Sequence, residues 1–233
     1  MKESGDIAFD EKQAKQYDKW FETDEGKYTD KREKDLLIKL LKPEAGQTLL
    51  DVGCGTGNYF MFFEDLGYKV SGFDPSMPMM KYIEGKMKKK PPLFLALSEE
   101  LPFKDNSFDV VALITSFEFV KDGKKGLEEA FRVARKKVVL GVLNKISYLN
   151  IKRRLLAPIK KSVFLKIRFY SIFELNRLIR EVSKGEIKWG SVLTLPLSWH
   201  KVLGSLDGAL SFWKNPFGAF LGIVVEIPEK RGD

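Results

Sequence analysis

One cysteine and one histidine, Cys54 and His200, are all that this 233-residue chain has of either residue. A lone cysteine excludes an internal disulfide framework. One cysteine with one histidine leaves no ligand set for a protein-held zinc ion, so no metal site is expected. No apolar run reaches the roughly 18 residues needed to cross a bilayer. The opening stretch, "MKESGDIAFDEKQAKQYDKW", is charged and lacks the apolar core of a signal peptide. A cytoplasmic chain without a membrane span is expected. Glutamine is also scarce, limited to Gln13, Gln16 and Gln47, while lysine and glutamate abound, a thermophile-like composition.

What the chain does have is 44% apolar residues, enough for a sizeable core, and a net charge of +8. That charge admits an acidic partner such as RNA, or simply a solvated lysine-rich surface. Apolar periodicity predicts amphipathic helices over 9–22 and 30–41, the second ending at Lys42-Pro43. From there strand and helix alternate. "QTLLDVG", "YKVSGFD", "LFLAL", "FDVVALIT" and "KKVVLGVL" read as strands. "GNYFMFFEDLG", "SMPMMKYIEGK" and "KKGLEEAFRVA" read as the helices between them. Later come a helix, "SIFELNRLIREV", a candidate strand, "EIKWGSVL", and a last strand, "AFLGIVVEI". The expected fold is α/β, a doubly wound and mostly parallel seven-stranded sheet. One domain over 1–233 is expected: a helical cap (1–46), a core (47–143), a variable segment (144–217) and the last strand (218–228). The variable segment opens on a basic, amphipathic stretch from Lys145 to Arg168 that no acidic residue interrupts.

"LLDVGCGTGN" places Gly53, Gly55 and Gly57 directly after the first strand. Such a loop turns tightly and admits a ligand where a Cβ would stand, and the next helix aims free N–H groups at it. The spacing is not that of the dinucleotide fingerprint, and Asp51 before the first glycine is awkward for a pyrophosphate. Asp51 suits a ligand with a cationic amino group. Asp74, at the end of the second strand, lies where a ribose diol binds. Together they describe a nucleoside with a cationic tail.

In these motifs the chain resembles class I S-adenosylmethionine-dependent methyltransferases of the small-molecule branch. "LLDVGCGTGN", "VSGFDPSMPMM", "LSEELPFKDNSFDVV" and "ALITSFEFVKD" follow one another as that family's motifs do, and "AKQYDKWFETDEGKY" is similar to its N-terminal helix. The resemblance implies a Rossmann-like methyltransferase fold and S-adenosylmethionine as cofactor. It implies that Gly53, Cys54 and Gly55 line the methionine part and that Asp51 reaches the amino group. It further implies that Asp74 accepts the ribose hydroxyls, with Pro75, Ser76 and Met79 near the adenine. Ser98 and Glu99 border the adenine edge, although the family's Asp-Ala-Glu before "LPF" reads Leu97, Ser98, Glu99 here. The resemblance also implies that Thr115 offers its carbonyl to the methionine amine, that Phe117 stands close to the methyl, and that Tyr17, Trp20 and Tyr28 close the pocket.

Each reading has a plain alternative. Asp51 and Asp74 are also ordinary strand-end acids, Cys54 a small packing residue, and the three aromatics core residues of a cap. No catalytic residue is fixed; His200 and Glu118 are the candidates for a base. Lids are expected among segments 1–30, 144–170 and 194–217. No "DPPY" or "NPPY" follows the fourth strand, which disfavours amino methylation of nucleic-acid bases, and "NPFG" at Asn215 reads as a turn. Trp189, Trp199, Phe212, Trp213 and Phe217 suit an apolar or aromatic small-molecule acceptor. RNA held on the basic stretch, and a protein that binds S-adenosylmethionine without catalysis, are the alternatives.

Overall fold

The computed structural model describes residues 9–87, 91–160, 163–196 and 214–228. Its centre is a seven-stranded sheet in the order β3-β2-β1-β4-β5-β7-β6. The strands are β1 (Thr48–Val52), β2 (Lys69–Phe73), β3 (Leu93–Phe94), β4 (Phe108–Ile114), β5 (Ala134–Leu143), β6 (Glu186–Val192) and β7 (Phe220–Glu226). β1 pairs in parallel with β2 and β4, and β4 with β5, whereas β7 runs antiparallel to both β5 and β6. The helices are α1 (Glu11–Trp20), α2 (Asp24–Leu41), α3 (Asn58–Asp65), α4 (Met77–Lys86), α5 (Gly123–Val133), α6 (Tyr148–Lys160) and α7 (Ile172–Val182). Among the described residues, no helix is long and apolar enough to cross a membrane.

The two-residue period of a strand divides the core in two. Leu50, Val111 and Leu140 pack on one face with Leu127 of α5 and Leu175 and Ile179 of α7. Leu49, Val110 and Val139 pack on the other with Leu37 of α2, Phe60 and Phe63 of α3, and Ile83 of α4. Every residue of β4 is buried, so this strand has no polar face and reads as an unbroken apolar run.

Three boundaries differ from the sequence reading. α2 begins at Asp24 rather than residue 30, because the Thr23 side chain accepts from the Gly26 N–H at 3.0 Å and caps a first turn rich in charge. Such a cap contributes about 1 kcal/mol. β3 is two residues long rather than five. β5 starts at Ala134, straight from the end of α5, with a register shift against β4 between Phe108 and Val110. Ser76 caps α4 as expected, its hydroxyl accepting from the Met79 N–H at 3.4 Å.

The chain runs outward from β1 through β2 to β3, then returns to β4 on the other side of β1. The reversal opens a crevice beyond the carboxyl ends of β1 and β4, where ligands of such sheets bind. α1 lies across it. The Asp18 carboxylate meets the Lys86 ammonium of α4, and the Ser76 hydroxyl donates to the Phe9 carbonyl at 2.8 Å. α2 is tied to the start of α3 by Lys34, which donates to Asp30 at 2.8 Å and to Asn58 at 3.0 Å.

Candidate functional site

The loop after β1 folds back on β2. The N–H groups of Gly53 and Cys54 both donate to the Phe73 carbonyl, at 2.6 and 2.9 Å. The three glycines serve different needs. A Cβ on Gly53 would lie 2.3 Å from Ser116 Cβ, and one on Gly57 would lie 2.8 Å from Ile83 Cγ1. Gly55, at φ +54°, would meet nothing within 4 Å. Two glycines thus make room for the protein itself, and Gly55 leaves room beside the crevice.

Asp74 is buried at the end of β2. Its Oδ2 accepts from the Gly55 N–H at 2.9 Å and its Oδ1 from the Ser76 N–H at 2.7 Å. Those bonds hold the carboxylate in place and leave further lone pairs on both oxygens. Burial pushes its acid form up, against the pull of the two N–H donors. Asp51 is 1% exposed, and its Oδ2 has no hydrogen-bond partner among the described residues. Burial first, then the nearby Asp74 charge, raises the Asp51 carboxyl to about 8. An orphaned buried carboxyl beside an open backbone is a gap that a donor-bearing ligand would fill.

Two adjoining cavities occupy the crevice. The first, about 130 Å³, is lined by Asp51, Gly53, Cys54, Gly55, Asp74, Pro75, Met79, Ser98, Glu99 and Thr115. The second, about 350 Å³, lies beneath α1 and is walled by Trp20, Phe21, Phe119 and Phe164 with Thr29, Glu33, Glu118 and Arg153. Phe9, Tyr17, Tyr59, Thr115 and Phe119 border both. Thr115 sits in this shared wall at φ +51°, a rare conformation for a β-branched residue, with its N–H donating to the Gly141 carbonyl at 2.7 Å. The Tyr17 hydroxyl is hydrogen-bonded to the Thr115 side chain, and burial holds it protonated well above the usual phenol range.

The second cavity is acidic. Burial raises Glu33 and Glu118 to about 7 each. Glu33 receives the Tyr59 hydroxyl at 2.5 Å and feels the charge of Arg153. Glu118 Oε1 accepts from the Leu143 N–H at 2.6 Å, while its Oε2 is buried without a partner. The Thr29 hydroxyl is likewise buried and unpartnered.

Most of the residues singled out from the sequence meet here, and four differ. Phe117 borders neither cavity; it is fully buried and packs on Tyr170 with centroids 4.9 Å apart, because the chain turns in a tight 3₁₀ turn at Phe117–Phe119. Phe119 faces the cavities instead. Tyr28 packs against the α2–α3 core, and its neighbour Thr29 takes the cavity side. Trp20 borders the second cavity rather than the first. Ser76 acts from behind, through Asp74 and Phe9. Glu99 lines the first cavity, and its Oε1 also accepts from the Lys121 N–H at 2.9 Å. Cys54 reaches both readings, core packing and cavity wall, and burial holds its thiol protonated. Glu118 binds backbone through its Oε1, at the Leu143 N–H. His200, Trp199, Phe212 and Trp213 lie outside the described residues. Trp189 packs on the sheet and Phe217 is exposed, so the aromatic walls come from elsewhere. Asn215 does form a turn, accepting from the Phe217 N–H at 2.9 Å.

Sequence reasoning missed Glu33, Thr29, Arg153, Tyr59 and Phe119. Helix phase would have found the first two: Thr29, Glu33, Leu36, Leu37 and Leu40 share one face of α2.

Comparison with known proteins bears on the family and the fold. Residues 50–141 match the profile of the family described as "Methyltransferase domain". The uncharacterized protein MJ1123 of Methanocaldococcus jannaschii is 33% identical over 181 residues, covering 76% of this chain and 82% of that protein. A demethylmenaquinone methyltransferase of Renibacterium salmoninarum is 35% identical over 106 residues, and the match spans 45% of this chain and 44% of that enzyme. The crystal structure of a SAM-dependent methyltransferase of Thermotoga maritima, described as a possible histamine N-methyltransferase, superposes with a TM-score of 0.75 at 23% identity. That superposition covers 94% of this chain and 97% of the other. The chain belongs to the class I S-adenosylmethionine-dependent methyltransferases, and it is an enzyme of methyl transfer.

Proposed function

We propose that the first cavity holds S-adenosylmethionine and the second a small-molecule acceptor, with methyl transfer across their shared wall. The residues present fit the cofactor. Asp51 offers an unpartnered carboxyl oxygen, and Gly55 leaves open the space that a Cβ would fill. Asp51 would take the amino group and Asp74 the ribose diol. Pro75 and Met79 would pack near the adenine, and Ser98 and Glu99 would border its edge. When bound, S-adenosylmethionine supplies an electrophilic methyl group on a sulfonium centre.

The protein's part is alignment and exclusion of water. Tyr17 and Thr115 fix the passage between the cavities, held to each other by hydrogen bond. α1 roofs the site. Phe9 packs edge-on against Phe119 at 5.6 Å, and Tyr17 against Phe21 at 5.3 Å, which keeps solvent out. Well-oriented reactants held in this way can save up to about 7–11 kcal/mol of the barrier.

The observation that carries this reading is the aromatic cavity of about 350 Å³ that shares Tyr17, Tyr59 and Thr115 with the cavity lined by the glycine loop. Its size is that of a small-ligand pocket. The basic stretch gives less support to an RNA acceptor. Lys145 pairs with Glu174 at 2.8 Å, Arg153 is turned into the second cavity, and Arg168 lies over the Tyr170 ring at 4.9 Å. Those cations serve the fold. The two named relatives differ in acceptor, one a demethylmenaquinone methyltransferase and the other a possible histamine N-methyltransferase, so the cavity is the better guide. The test is incubation with methyl-labelled S-adenosylmethionine and a fractionated small-metabolite pool, beside filter binding to RNA at two salt concentrations. Label in a small product supports the reading. Label in RNA alone, with salt-sensitive binding, replaces it.

A further inference from the structure

We propose that the acceptor is a primary or secondary amine on an apolar body, its ammonium group held between the Glu118 carboxylate and the Thr29 hydroxyl and its nitrogen methylated. The inference rests on the methyl-transfer reading and names the acceptor's chemistry.

The argument is one of partners left over. Two carboxyls, Glu33 and Glu118, face the second cavity, against the single cation Arg153 among its described lining residues. Glu33 is already engaged by the Tyr59 hydroxyl at 2.5 Å and by the Arg153 charge. Arg153 itself donates to Asn150 at 2.9 Å and lies over the Phe164 ring at 5.4 Å. Glu118 Oε2 and Thr29 Oγ1 remain, in residues 2% and 3% exposed, with no partner for either among the described residues. Glu118 Oε2 is an acceptor, whereas the Thr29 hydroxyl both accepts and donates. The missing group must bring at least one donor, and an ammonium brings several together with a positive charge that offsets the buried carboxylate. An acid would face two carboxyls and be repelled. An alcohol or phenol can give its one hydrogen to Glu118 and accept from Thr29, but it brings no charge to offset the buried carboxylate. The aromatic walls favour a cation and its apolar body in the same space.

The same contact serves the chemistry. Glu118 takes one proton from the bound ammonium, which frees the nitrogen lone pair. That lone pair forms the new N–C bond to the methyl carbon while the C–S bond breaks and its electron pair stays on sulfur. The products are the methylated ammonium and the thioether. Glu118 ends protonated and returns its proton to water on release.

The probes are 2-phenylethylamine and tryptamine, each beside its alcohol, 2-phenylethanol and tryptophol. Binding is measured by calorimetry on the full chain, with and without saturating S-adenosylhomocysteine. At least one amine is expected to bind ten times or more tighter than its alcohol and to yield the N-methylated product from labelled S-adenosylmethionine. Glu118→Gln is expected to erase that preference, with S-adenosylhomocysteine affinity changed less than twofold. A glutamine still accepts from the Leu143 N–H, so the local fold is kept. Thr29→Val, which replaces an unpartnered hydroxyl by a methyl, is expected to fold and to weaken amine binding about three- to tenfold. Amines that bind no better than their alcohols overturn the inference. So does an amine preference that survives both variants. Loss of S-adenosylhomocysteine binding to the unaltered chain would instead strike the methyl-transfer reading, and the amine preference is still scored without it.

Discussion

The first cavity is walled by backbone and strand ends, whereas the second is walled by side chains sent in from α1, α2, α6 and the turn after β4. In the first, the decisive features are a loop conformation, the Asp74 carboxylate fixed by two backbone N–H groups, and the buried Asp51 carboxyl with an unpartnered oxygen. In the second, they are Thr29 and Glu33 of α2, Arg153 of α6 and Glu118 of the turn after β4, of which only Glu118 falls within a family motif. The contrast suits the two ligands proposed. One cofactor serves a whole family and is met by geometry that few residues satisfy. An acceptor varies, and a wall of exchangeable side chains varies with it.

The sharpest way to break that contrast is at the glycines. Gly55→Val is expected to lower S-adenosylhomocysteine affinity a hundredfold or more, about 2.7 kcal/mol, because its side chain would enter the ligand's space. Backbone strain at φ +54° adds a stability cost of about 1–2 kcal/mol. Gly53→Ala should show the opposite balance, since its methyl strikes Ser116 rather than a ligand. There the melting temperature falls first, with a loss of about 1–3 kcal/mol. Calorimetry and thermal melts on the pair separate the two outcomes. Equal cofactor losses in both would mean that the loop answers as one rigid unit.

Asp74→Ala comes next. Loss of a charged acceptor of hydrogen bonds is expected to weaken cofactor binding by about 1–3 kcal/mol. Binding of an acceptor probe in the second cavity should stay within twofold. A matching loss in both cavities would show that they are not separable.

A pH effect should appear in stability. Burial raises Glu33 and Glu118 to about 7 and Asp51 to about 8. The folded chain therefore keeps protons that the unfolded chain releases above its ordinary carboxylate range. Stability is fully present below that range and is lost as pH rises from about 5 to about 8. Glu174 acts the other way. Lys145 and Ser171 outweigh its burial and hold it near 2, but its window lies below pH 4.5 or so. The unliganded protein is expected to melt several degrees lower at pH 8 than at pH 5.5, roughly 2–4 °C for each kcal/mol. A flat or rising melting temperature over that span would mean that the three carboxyls are better solvated than their burial implies.

The smallest effect belongs to the basic stretch. Lys145→Ala removes an ion pair whose side chains are 43% and 26% exposed. The expected change is within about 1 kcal/mol of stability, with neither ligand affected.

The contrast also explains what the sequence could tell. Gly53, Gly55, Asp51 and Asp74 were legible because backbone conformation and strand-end position restrict residue type. The order of β1 to β5 was legible for the same reason, since a run such as β4, buried on both faces, leaves little choice. Glu33 was hidden within "KREKD", where every neighbour suggests solvent, although its helix phase matches Leu36 and Leu37. Arg153 was hidden in the same way among cations, yet it shares a face of α6 with the buried Asn150 and Ala157. Phe117 and Phe119 exchanged places because strand alternation stops at the 3₁₀ turn. Charge runs conceal the one charged residue that turns inward.

The most direct measurement is a crystal structure of the chain soaked with S-adenosylhomocysteine at saturating concentration. The expected density lies over Gly55, with the ribose hydroxyls within hydrogen-bond distance of Asp74, the amino group at Asp51 and the sulfur turned toward Thr115. Density in any other place, or a ligand whose ribose leaves Asp74 untouched, would contradict the account.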